Sequence, residues 1–142
     1  MSNFELKNEL SLFGEVVFTY TRAQAIADGV LMDVTEMARE AGFRSPVALT
    51  VGAWEACVAW SDNDNETQIY QDEAGRLWDV LVMALYGIRR TGGTTQHELP
   101  YPLLCVPRDG QSMQPVETTL KMMVSDGNDG LPALTIALPH ED

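Results

Sequence analysis

Cations are scarce in this chain: nine Lys and Arg stand against 21 Asp and Glu, for a formal charge of −12 and a pI near 4.4. A field of that sign repels phosphate backbones, so direct nucleic-acid binding is disfavoured and basic protein surfaces become the natural partners. Cysteine occurs only at Cys57 and Cys105, and histidine only at His97 and His140. Neither type has the CxxC or Cys/His spacing of a metal centre, so no metal ligand is expected, and the cysteines, far apart along the chain, read as two buried thiols in a reducing compartment. Long apolar runs are missing as well. The longest falls well short of the roughly 18 to 20 residues a membrane span needs, so no membrane partner is expected. The opening MSNFELKNELSLF has no basic start before an apolar block, which argues against a secretory signal and for the cytoplasm. A phosphate-cradling loop ending in GK[ST] and an Asp-rich calcium loop are both absent, so no cofactor is expected.

What is present begins with EAGRLWDVLVMALYGIRR, residues 73–90. From Leu77 to Ile88 it carries one charge, Asp79, which predicts a helix buried on most of its circumference. Ala74, Leu77, Trp78, Leu81, Leu85 and Ile88 share one stripe, and Val80, Met83 and Gly87 line a second face narrow enough for a strand to approach. Asp72 is placed to cap the start, and Arg89 and Arg90 complement the negative end of the dipole.

The rest of the chain arranges itself around that helix. Phe4, Leu6, Leu10 and Leu12 suggest an arm within residues 1–13 docked loosely on a single domain of 142 residues. EVVFT at 15–19 reads as a first strand. Thr21 then caps a helix over 22–28, with Ala23, Ile26 and Ala27 inward and Gly29 as its stop. An extended stretch at 30–34, a helix from Thr35 to the Gly42 stop, a short strand at 47–49 and a Thr50-capped helix over 52–60 follow. Residues 61–68, SDNDNETQ, carry no apolar side chain and read as an exposed loop. After the long helix, strands at 103–106, 116–124 and 133–138 form a three-stranded antiparallel meander, with an Asp109-Gly110 turn in the first hairpin. The class is therefore α+β: short helices and strands, then a long buried central helix packed on a C-terminal meander.

Candidate chemistry is thin. A hydrolase needs a nucleophile, a base and an orienting group, and Cys105 with His97 is the best thiol candidate; a buried structural cysteine is the competing and preferred reading. Asp79 is expected to pair with Arg76 three residues earlier, and Trp54, Trp60 and Trp78 to pack in the core. The acids stand apart from this. Asp62, Asp64, Glu66, Asp72 and Glu73 fall within twelve positions without one Lys or Arg. Such a run is usually a solvated rim; its sharper reading is an Arg-seeking, phosphate-mimicking patch that binds without catalysis.

The blocks YTRAQAIADGVLMDVTEMAREAGFRSPVALT, QDEAGRLWDVLVMALYGIRR, VPRDG and LTIALP resemble a family of small uncharacterised proteins borne on bacterial plasmids, phages and other mobile elements. The resemblance supplies a context and no catalytic residues. It implies a non-enzymatic antagonist of host defence, an anti-CRISPR or anti-restriction protein, whose partner is the basic surface of a protein or nucleoprotein complex. An accessory interaction module of mobile-element maintenance is the alternative expectation, and a thiol enzyme using Cys105 the third.

Overall fold

The computed structural model describes residues 20–91, 97–127 and 131–142. The expected arm at 1–13 and strand at 15–19 lie outside them. Among the described residues the elements are α1 (Arg22–Ala27), β1 (Leu31–Asp33), α2 (Thr35–Ala41), β2 (Val47–Thr50), α3 (Val51–Cys57), α4 (Glu73–Arg90), β3 (Glu98–Cys105), β4 (Val116–Asp126) and β5 (Pro132–Ala137). These strands form one sheet in the order β1-β2-β5-β4-β3, with α1 ahead of it and α2, α3 and α4 in its connections. The α+β class is as the sequence predicts. The sheet is larger, because β2 joins β5 in parallel, pairing Val47 with Leu134 and Leu49 with Ile136.

Local capping explains the helix starts. Thr21 accepts from the Gln24 amide at 3.0 Å while the Gln24 side chain accepts from the Thr21 amide at 2.8 Å, a reciprocal box that begins α1. Gly29, at φ +79°, ends that turn in a conformation other side chains resist. The inward face of α1 differs from expectation: Ala25 is buried, whereas Ala23 and Ala27 are exposed. Arg22 donates to Thr135 Oγ1 and the Leu134 carbonyl, both at 2.7 Å, which ties the start of α1 to β5 while the helix packs on β1. Thr50 Oγ1 accepts from the Ala53 amide at 3.1 Å and starts α3 one residue earlier than predicted. That helix stops at Cys57, short of Trp60, whose amide is drawn to Glu73 Oε2 at 3.2 Å.

The long helix α4 has the predicted bounds, with Asp72 accepting from the Gly75 amide at 2.8 Å. Its buried face is Arg76, Leu77, Val80, Leu81, Ala84 and Gly87. The face is rotated from the predicted stripe, so that Ala74 is exposed and Trp78 keeps 40% of its surface in water. Strand β3 causes the rotation: Tyr101 donates to the Val80 carbonyl at 3.2 Å, and a Cβ at Gly87 would meet Tyr101 Cβ at 3.4 Å. Val47, Leu49, Tyr101, Leu103, Leu120, Met122 and Ile136 present one sheet face to α2, α3 and α4, and these residues form the core.

Candidate functional site

The five acids lie on the 61–66 loop and the start of α4, segments that are tied together. A 3-10 turn, Asp64–Glu66, is fastened to the strand-like approach to α4 because Asn65 exchanges hydrogen bonds with the Gln71 backbone at 2.8 and 3.0 Å. Three of the acids have internal partners. Asp64 accepts from the Ser61 amide at 2.8 Å and from Arg108 Nε at 2.8 Å, Asp72 caps α4, and Glu73 holds the Trp60 amide. Burial alone would raise the Asp64 carboxyl, yet the Ser61 amide and hydroxyl and the Arg108 guanidinium together hold it below the ordinary carboxylate value. Asp62 and Glu66 are exposed and make no side-chain hydrogen bond or ion pair among the described residues.

The 61–68 loop is exposed along most of its length, as predicted, except at its end. Gln68 is buried, and its amide donates to the carbonyls of Pro107 at 2.8 Å and Ser112 at 2.7 Å while accepting from the Gly110 amide at 3.1 Å. The acidic loop and the β3–β4 loop thus form one structured rim.

Beside this rim runs an apolar groove. One cavity of about 320 Å³ is lined by Ile69, Tyr70, Met113 and the two cysteines among others, and one of about 520 Å³ by Val82, Met83, Pro102 and Glu117. Both share Asp79, Leu103 and Leu104, so together they follow the seam between α4 and β3. Tyr70 is 77% exposed and Leu104 61%. The groove stays open because β3 is an edge strand, and Pro100 and Pro102 remove two of its N–H donors, which discourages a further strand from pairing there.

Asp79 stands exposed in this groove without the expected Arg76 partner. Arg76 turns inward instead: it is 4% exposed, donates to the carbonyls of Val58 at 3.1 Å and Val106 at 2.9 Å, and lies 4.5 Å over the Trp60 ring. Burial pulls its guanidinium below the ordinary arginine value, opposed by the charges of nearby Cys105 and Cys57. Sequence spacing pointed Arg76 at Asp79; nothing local reported that two chain carbonyls at element ends needed a donor.

Of the two thiols expected to be buried, Cys57 is and Cys105 is only partly so. Far apart along the chain, they meet: Cys57 Sγ and Cys105 Sγ lie 3.5 Å apart, and Cys105 Sγ is 3.4 Å from Thr118 Oγ1. The hydrogen bond shared with Cys57 is the main influence holding the Cys105 thiol down, to about 6, against the opposing effect of burial and with help from the Thr118 hydroxyl and the Arg76 charge. The same contact, with burial, pushes the Cys57 thiol up. His97 does not meet Cys105, since it precedes the start of β3 while Cys105 ends it, and it lines a separate cavity of about 900 Å³ together with His140. A signal for the cysteine pair existed in the alternation of Tyr101, Leu103 and Cys105, which aims Cys105 at the core face.

Among the described residues no group of three or more His, Cys, Asp or Glu is placed to hold a metal ion, and no helix is long and apolar enough to cross a membrane. Comparison with curated proteins and with solved structures gave no match. The sequence pattern of a family of unknown function, DUF6573, matches residues 8–142. With nearly the whole chain covered by that match, the protein belongs to the DUF6573 family.

Proposed function

We propose that this is a non-enzymatic binding protein of the bacterial cytoplasm that antagonises a nucleic-acid-targeting defence complex, a CRISPR effector before a restriction enzyme, by docking on its basic protein surface. The observation that carries the reading is the α4–β3 groove with Tyr70 and Leu104 exposed, bordered by Asp79 and Glu117 and lying beside a loop that offers Asp62 and Glu66. Apolar side chains supply an anchor, and carboxylates around it recruit Arg and Lys and speed encounter. Asp64, Asp72 and Glu73 contribute to the field while shaping the loop, so Asp62, Glu66 and Asp79 are the acids left to meet a partner. Defence complexes enter through the resemblance to mobile-element proteins and through the net charge of −12, which favours a partner that itself grips nucleic acid.

Capture of purified effector complexes at low and high salt tests this. The expected result is stoichiometric binding that weakens as salt rises, is lost on Asp62→Lys with Glu66→Lys, and drops about tenfold or more on Leu104→Asp. Binding that ignores both charge reversal and Leu104→Asp overturns the reading. A chain that recovers no effector but elutes as a concentration-dependent oligomer supports instead an interaction module using the same groove.

A further inference from the structure

We propose that Cys57 and Cys105 form a thiol–disulfide exchange site that takes low-molecular-weight disulfides through the cavity beside α4, Cys105 attacking and Cys57 resolving. The geometry divides the roles. Both cysteines line the cavity of about 320 Å³, but Cys105 is part-exposed whereas Cys57 is 1% exposed. An external disulfide therefore meets Cys105 first. The two sulfurs, 3.5 Å apart, need an approach of about 1.5 Å to reach bonding distance. Each cysteine is the last residue of its element, Cys57 of α3 and Cys105 of β3.

The surroundings favour the attacking role. Thr118 Oγ1 lies 3.4 Å from Cys105 Sγ and can donate to a thiolate there. Arg76 lines the same cavity, and its Nη2 is buried without a hydrogen-bond partner among the described residues, which leaves one N–H of a positive charge open on this side. A thiolate at Cys105 offsets that charge. Arg76 is thus a positioning residue, already anchored by two carbonyls and a tryptophan ring.

The chemistry balances in two displacements. Cys105 thiolate attacks one sulfur of the external disulfide, forming a mixed disulfide and expelling one thiolate. Cys57 then gives up its proton to an expelled thiolate and attacks Cys105 Sγ, forming the Cys57–Cys105 bond and expelling the second. The proton that Cys105 gave up on ionising goes to the thiolate expelled second, so the protein loses two electrons and two protons in all, and one external disulfide becomes two thiols.

Oxidised glutathione with the full-length chain at neutral pH is the probe, read by acid quench, alkylation and mass spectrometry. The expected result is a monomer lacking both free thiols and two hydrogens, fully restored by dithiothreitol. Cys57→Ser should stop at a glutathione adduct on Cys105, and Cys105→Ser should slow thiol loss about tenfold or more. Wild type that keeps both thiols alkylatable after equilibration, or that forms only disulfides between chains, overturns the proposal. Should Cys57→Ser fail to fold, the native wild type decides: brief iodoacetamide treatment should label part-exposed Cys105 ahead of buried Cys57, and equal labelling of both overturns the proposal.

Discussion

Arg76 is the residue whose loss the fold should feel most. Its side chain satisfies the carbonyls that end α3 and β3, so one guanidinium joins two elements that no strand pairing connects. Arg76→Met keeps the length and the contact with Trp60 but leaves two buried acceptors without a donor. Each costs about 1–3 kcal/mol, and urea denaturation should show a loss on the order of 2–6 kcal/mol. Asp64 makes a second residue-scale prediction. Its carboxyl is lower folded than its ordinary value of 3.8, so the stability it contributes is present above that value and disappears as pH falls through the folded one. Asp109, held down chiefly by the Ser112 hydroxyl and amide three residues along the same loop, acts in the same direction. Asp64→Asn should flatten the acid limb of the stability curve, visible as a smaller drop in denaturation midpoint between about pH 6 and about pH 3. At this scale the sequence was informative where the partner is local, as for Asp72 and Thr50, and misleading for Arg76 and Trp78. The latter pair answer to neighbours 18 or more positions away or to the placement of β3.

The element that organises the molecule is α4, and its narrow face is the sensitive one. Gly87 faces Tyr101 with room for little more than a methyl, since a Cβ there already lies 3.4 Å from the Tyr101 Cβ. Gly87→Leu must push β3 away and loosen the Tyr101 bond to the Val80 carbonyl, a destabilisation of about 1–3 kcal/mol by denaturant titration despite the better helix propensity of leucine. The ends of α4 were legible because Asp72, Arg89 and Arg90 act within one turn of it. Its rotation was not. A helix this apolar offers several stripes of similar quality, and the choice among them depends on where Tyr101 and Leu103 press. The acidic loop was equally legible as an exposed segment, whereas the clamp formed by Gln68 required a hairpin loop 39 to 44 residues further along.

At the scale of the whole molecule, the Cys57–Cys105 pair spans 48 residues and ties the helix layer to an edge strand. Oxidation should therefore stabilise the fold. The chain-entropy account gives about 4 kcal/mol for a loop of that length, or a rise in Tm on the order of 10 °C, read by calorimetry on oxidised against reduced protein. Cys105→Ser should abolish the difference between the two conditions.

The sequence by itself determined the α+β class, the positions of the helices, the antiparallel meander and the surplus of carboxylates, because caps, turns and alternation act over a handful of residues. Only the tertiary structure decided that β2 lies parallel to β5, that Arg76 abandons Asp79, and that two cysteines without a motif touch. Those outcomes depend on contacts between segments far apart along the chain, where packing against a shared sheet face selects among arrangements that local preferences leave equal.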